Sequence, residues 1–328
     1  MMGQETRTQS AGAALRGTAA MFTILALVAS GCSAPSSNDS IGVAVVATTT
    51  IWADVASQIV GDDGSVVSLM PVGADPHGFQ ASSSQVAAMV SADLVVANGL
   101  GLEVGLTNVL ETAQVDGANV LWVGLAAQPV GSVNGSSTCG QSSASTGVDE
   151  TLACDPHVWM DPDRVALAAV AIADALAEID DSVDWHARAS VYGRELAATA
   201  QSIESTLSPI PDARRKLVTN HDSLGYFASR FDLEIIETVI PSGSALAEPS
   251  SGDLATLVKR MIEEQVDVIF AETTDPTGLA KAVASEVGDD VSVVDLYTGS
   301  IGSPGSGADS LVGMLTTNAE LIAAALGG

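Results

Sequence analysis

Hydrophobic positions along the chain fall into two rhythms, short apolar runs and longer stretches with helical spacing, and the two alternate. Val43 opens a β-rich run (Val-Ala-Val-Val-Ala-Thr-Thr-Thr), and Ile51 to Ile59 follows with helical periodicity. Val66 to Met70 reads as a second strand, Ser84 to Val90 as a helix, and Asp93 to Asn98 as a third strand. Val104 to Ala113 is again helical, and Ala118 to Val123 is a fourth apolar strand. Strands alternating with helices predict βαβ units and a mainly parallel sheet.

The rhythm stops over residues 125 to 153, where Gly, Ser and Thr dominate, and this segment reads as a surface insertion. Two helical runs follow, Asp163 to Ile179 and Trp185 to Leu207. The second is long enough, at roughly 34 Å, to cross between two lobes. Pro209 and Pro211 stop it. The α/β alternation then resumes. Strands are predicted at Lys216 to Thr219, Leu233 to Val239, Val266 to Ala271 and Val291 to Leu296. Between and after them lie helices at Leu224 to Arg230, Ser251 to Gln265, Leu279 to Val287 and Leu311 to Leu326. The expected fold is α/β: an N-terminal lobe over 43–184, a linking helix over 185–210, and a C-terminal lobe over 211–328. Such sheets bind ligands at the carboxyl ends of their strands, so the site is expected in the cleft between the lobes.

Residues 1–32 do not belong to this pattern. Arg7 and Arg16 precede an apolar stretch, Thr18 to Ala29, too short to span a bilayer, and then Ala29-Ser30-Gly31-Cys32. This resembles a bacterial lipobox, which implies export, acylation of Cys32 and anchorage to the cell membrane from outside the cytoplasm. Residues 33–42 are the expected tether. Two cysteines remain, Cys139 and Cys154. In an oxidising compartment the simplest reading is a disulfide, worth about 3 kcal/mol for a loop of about 15 residues. The competing reading makes Cys154, three residues before His157, a thiolate ligand.

Charge narrows the partners. Forty acidic residues against twelve Lys and Arg give a net charge of −28, which repels nucleic acid. A monomer is expected.

The chain has four histidines, and three sit at strand-to-helix junctions. His77 lies in Pro71-Val-Gly-Ala-Asp-Pro-His-Gly78, His157 in Asp155-Pro-His-Val-Trp-Met-Asp-Pro162, and His221 in Thr219-Asn-His-Asp-Ser-Leu-Gly-Tyr-Phe227. One histidine at such a place is more often a cap or a satisfied core group; three in equivalent places point to a metal. Neutral imidazole suits zinc, copper, nickel and iron(II). Asp75, Asp155, Asp161 and Asp222 stand close enough in sequence to orient imidazole N–H groups. His186, beside Trp185 and Arg188, reads as a surface residue.

These three segments, in this order, resemble the zinc/manganese solute-binding proteins of ABC importers, the periplasmic zinc-uptake or TroA-like family. The likeness covers about residues 43 to 327. It implies two α/β lobes joined by one rigid helix, one metal in the cleft, and delivery to a membrane permease. Two departures stand out. Family members often place an Asp ligand in a segment like Leu-Tyr-Thr-Asp-Ser, whereas this chain reads Leu296-Tyr-Thr-Gly-Ser300. Glu272 or water is left to fill the fourth position, Glu272 having an alternative role as a cap or an orienting group. The 125–153 segment also lacks histidine, where relatives often carry a His-rich loop. Three imidazoles without a firm carboxylate favour Zn2+, with Mn2+ the alternative. His221 agrees, because manganese-binding relatives often have Glu there.

Rival readings come from other classes. A zinc hydrolase needs a general base beside the metal, and Glu272 is the candidate, but no HExxH spacing is present. An adhesive surface protein or a binder of haem or an iron chelate would not need three histidines.

Overall fold

The computed structural model describes residues 42–131, 154–240, 248–274 and 277–327. Cys32, residues 33–41 of the tether and Cys139 lie outside them, and with Cys139 so does its pairing with Cys154.

The first sheet comprises β1 (Val43–Ala47), β2 (Gly64–Ser68), β3 (Leu94–Ala97) and β4 (Val120–Trp122). All pairings are parallel, in the order β2-β1-β3-β4. Helices α1 (Thr50–Val60), α2 (Ser83–Ser91) and α3 (Thr107–Val115) make the crossovers, and a short α4 (Val123–Ala126) follows β4 directly. Thr49 caps α1, its side chain accepting from Trp52 N, and Ser82 with Gln85 forms a capping box on α2.

Two edges differ from the sequence pattern. Strand β2 begins at Gly64 rather than Val66 because its register pairs Val43 with Gly64. Leu69 and Met70 are buried just past its end, their N–H groups donating to Ala47 O and Thr48 O. Burial, not strand pairing, is what their hydrophobicity reports. Helix α3 is preceded by a tight turn at Val104–Leu106, so its regular part starts three residues late.

Helices α5 (Pro162–Ile179) and α6 (Trp185–Leu207) come next. Asp161 caps α5 ahead of Pro162 at its first position, and Asp184 caps α6. The second sheet is built from β5 (Lys216–Thr219), β6 (Glu234–Thr238), β7 (Val268–Glu272) and β8 (Ser292–Leu296), again parallel, in the order β6-β5-β7-β8. Its helices are α7 (Gly225–Arg230), α8 (Ser251–Glu264), α9 (Gly278–Val287) and the closing α10 (Leu311–Leu326). Both sheets have one strand order, a repeat with a switch point beside the first strand of each.

Three apolar clusters explain the arrangement. One covers the outer face of the first sheet with α2 and α3 (Val46, Val95, Met89, Leu106), and one the outer face of the second with α8 and α9 (Val218, Ile269, Met261, Val283). The third is continuous across both halves. It runs from Val45 and Trp52 through α5 and α6 (Ile172, Tyr192, Leu196) to Phe227, Phe270 and Met314. Helix α6 packs against α1, α5 and α10, so the long helix ties the two sheets into one core. No described helix is long and apolar enough to cross a membrane.

Candidate metal centre

The chain leaves each sheet at its carboxyl edge and turns there, and the site is made from those turns. His77 follows β2, His221 follows β5 by two residues, and His157 stands before α5. In both Asp-Pro-His segments the aspartate side chain closes a local turn. Asp75 Oδ1 accepts from His77 N at 2.9 Å, and Asp155 Oδ1 accepts from His157 N at 2.9 Å. Pro fixes φ between them, so each histidine is presented by a short, rigid turn. His221 O is held by Thr219 Oγ1 at 2.8 Å and by Ser223 N.

The three rings meet. His77 Nε2 lies 3.3 Å from His157 Nε2, and His221 Nε2 lies 3.2 Å from the same atom. Potential ligand atoms of all three lie within 4.8 Å of one another. The histidines are 3, 1 and 2 % exposed, so the cluster is shut off from bulk water.

The far nitrogens show how the rings are aimed. Asp155 Oδ1 lies 2.8 Å from His157 Nδ1, and Glu272 Oε1 lies 2.7 Å from His221 Nδ1. A carboxylate only accepts, so the proton sits on Nδ1 and the Nε2 lone pair faces the cluster. His77 Nδ1 has no hydrogen-bond partner among the described residues.

Glu272, which the sequence left open as a fourth ligand or an orienting group, has its carboxylate on His221 Nδ1. Its carboxylate meets the nitrogen of His221 that faces away from the other two rings. Its Oε1 also accepts from Ser223 Oγ at 2.8 Å, and Oε2 accepts from Thr298 Oγ1 at 2.6 Å. Burial works against its ionisation, but His221 and the hydroxyl donors outweigh that and hold its pKa at about 2. Burial likewise pulls His221 down, yet the Glu272 carboxylate prevails and its affinity for a proton is raised. His77 has no such partner. Burial, then the neighbouring imidazoles, lower its pKa to about 3, so it is neutral.

Of the other aspartates named from sequence, Asp161 caps α5, accepting from Asp163 N at 3.0 Å, and Asp222 is half-buried near Asp155. His186 lies far from the cluster in an exposed pair with Asp174 at 2.7 Å. Cys154 bridges Gly131 in backbone pairing at the base of the 132–153 segment.

A buried brace behind His157 was not singled out from the sequence pattern. Glu103 accepts from Thr48 Oγ1 at 2.7 Å, Asn98 N at 2.7 Å and Gly99 N at 3.0 Å. Asn98 Oδ1 accepts from Trp52 Nε1 at 2.9 Å, and Asn98 Nδ2 donates to Pro156 O at 3.1 Å, the residue before His157. A buried Glu in Asn98-Gly-Leu-Gly-Leu-Glu103 was the available signal, since an acidic side chain among apolar neighbours must find donors.

Comparison with known proteins bears on this geometry. The model of the zinc-uptake complex component A periplasmic family matches residues 45–325. The chain belongs to that family. Among curated relatives, the manganese-binding lipoprotein MntA of Halalkalibacterium halodurans is 27 % identical over 312 residues, covering 93 % of this chain and 97 % of its own. The zinc-binding protein TroA of Treponema pallidum is 27 % identical over 288 residues, covering 86 % and 88 %. The solved structure of the periplasmic zinc-binding protein TroA superposes with a TM-score of 0.75 at 26 % identity, covering 88 % of this chain and all of that one. The two-lobed α/β fold expected from the sequence is the fold of this family. Family members are solute-binding proteins of ABC importers rather than enzymes, and they bind metals.

Proposed function

We propose that this chain captures a single zinc ion outside the cytoplasm through His77, His157 and His221 and hands it to the permease of an ABC importer. The observation that carries the reading is the convergence of three buried imidazole nitrogens, with no carboxylate oxygen grouped with them among the described residues. Imidazole nitrogens 3.2 and 3.3 Å apart repel unless a proton or a metal ion lies between them. Tetrahedral zinc with Zn–N bonds of about 2.0–2.1 Å calls for nitrogens about 3.3–3.4 Å apart, close to both spacings. Manganese prefers oxygen ligands, and here the carboxylates of Asp155 and Glu272 are engaged with the far nitrogens of the rings. Manganese remains the second reading because several relatives are named for it.

Glu272 acts in this account as the group that orients His221, not as a ligand, and the fourth position belongs to water. The same engagement argues against zinc-dependent hydrolysis. A general base must be free to take a proton, and Glu272 is already committed to His221, Ser223 and Thr298. Acylation of Cys32 would keep the carrier, a monomer with a Cys139–Cys154 disulfide, beside its permease. Alanine substitution at each site histidine tests the ligand set. His77→Ala, His157→Ala and His221→Ala each abolish retention of zinc through gel filtration, while His186→Ala retains one zinc per chain. Equal loss in His186→Ala contradicts the assignment.

A further inference from the structure

Trp159 stands in the tight turn Val158–Met160, two residues past His157, and meets the His157 imidazole edge to face, with ring centroids 5.3 Å apart at 67°. An indole N–H shut off from water needs an acceptor. It finds one 139 positions further along the chain, where Trp159 Nε1 donates to Thr298 O at 2.7 Å. Thr298 is 1 % exposed and lies just past β8. Its hydroxyl donates to Glu272 Oε2 at 2.6 Å. One buried residue is therefore bonded to the neighbours of two histidines, Trp159 beside His157 and Glu272 behind His221.

The two bonds do different work. Glu272 Oε1 is held by His221 Nδ1 and Ser223 Oγ. A carboxylate turns easily about its last bond, so partners on one oxygen leave its plane free. The Thr298 hydroxyl on Oε2 sets that plane, and with it the direction in which Oε1 meets His221. On the other side, the carbonyl that receives Trp159 is itself tied down. Two residues on, Ser300 Oγ accepts from Gly73 N at 2.9 Å, and Ile301 N donates to Thr50 Oγ1 at 3.2 Å. Thr298 is a fixed point between β8 and the first lobe.

We propose that Thr298 is a positioning residue that holds His157 and His221 in mutual register, its carbonyl acting through Trp159 and its hydroxyl through Glu272. The Nε2 atoms of these two rings lie 3.2 Å apart although the residues are 64 positions apart in sequence. Fixing that spacing before an ion arrives lowers the ordering cost of binding it. The proposal rests on the reading of the histidine cluster as a metal site.

The test is zinc affinity, read by competition with a chromophoric chelator. Thr298→Val keeps the shape and removes the hydroxyl, and is expected to weaken zinc by about tenfold, the size of effects transmitted through a ligand's supports. Thr298→Ser keeps the hydroxyl and loses a methyl group, and is expected to bind within about threefold of the unsubstituted chain. A role in packing alone predicts the reverse order. Trp159→Phe, which removes the N–H, and Glu272→Gln lie on either side of Thr298. Their combined loss is expected to fall short of the product of the single losses by about threefold or more, and to equal that product in a Thr298→Val background. Equal losses in Thr298→Val and Thr298→Ser, or single losses that multiply while Thr298 is present, overturn the proposal. Should Thr298→Val fail to fold, the Trp159 and Glu272 pair decides alone, coupling supporting the proposal and multiplication overturning it. An unsubstituted chain that retains manganese and no zinc overturns the zinc reading alone, and the same variants are then judged with manganese.

Discussion

Glu272 Oε1 lies 2.7 Å from His221 Nδ1, with both side chains almost wholly excluded from solvent. The pair fixes the ring so that Nε2 faces His157, and its charge makes the imidazole a stronger donor to a metal. Glu272→Gln keeps the shape and removes the charge. Zinc affinity is expected to fall by about tenfold to a hundredfold. X-ray absorption of the zinc-loaded variant should show an unchanged ligand count. Loss of an oxygen ligand would mean that Glu272 binds the ion directly.

Asp155 does the same for His157, accepting from both its backbone N–H and its Nδ1. Asp155→Ala removes the turn and the ring's partner together. Its zinc affinity should drop by at least as much as that of Glu272→Gln, measured by the same competition. Asp155→Asn, which keeps an acceptor oxygen, should recover part of the loss.

Acidity should release the ion through His221 rather than His77. Although burial pulls His221 down, Glu272 raises its affinity for a proton above the ordinary imidazole value of about 6.5. Zinc must displace that proton, so apparent affinity should fall as pH drops through the raised value, by about one log unit per pH unit. His77, held at about 3, stays neutral and does not compete. In the metal-free chain the linkage has the other sign for His221. The protonated His221–Glu272 pair stabilises the fold below the ordinary imidazole value and is lost as pH rises through the raised one. The increment that zinc adds to Tm should therefore shrink as pH falls below the raised value. An increment independent of pH contradicts a proton shared with the metal site.

Glu103 is fully buried and takes three hydrogen bonds, two of them from backbone N–H groups. Glu103→Ala leaves those donors unsatisfied and should lower stability by about 2–4 kcal/mol in urea unfolding. The exposed His186–Asp174 pair offers the contrast. His186→Ala should change stability by less than about 0.5 kcal/mol.

The sequence made the histidines legible because imidazoles are rare here and each follows a recognisable turn. It made α6 and α10 legible because their apolar periodicity runs unbroken between clear stop signals. The role of Glu272 was not legible. A carboxylate at a strand end can face a metal or the back of a ligand, and only the packing of β7 between β5 and β8 brings it beside His221, Ser223 and Thr298. The early start of β2 was hidden for a similar reason, since Leu69 and Met70 carry the hydrophobicity while Gly64 and Ser65 carry the pairing.

The central claim is a buried three-histidine site for zinc. Its most direct test is X-ray absorption at the metal edge on the purified chain after equilibration with equal zinc and manganese. The account predicts one zinc per chain with three imidazole nitrogens at about 2.0–2.1 Å, a single further light-atom ligand, and negligible manganese. Retention of manganese over zinc, or two or more carboxylate oxygens bound to the ion, would contradict it.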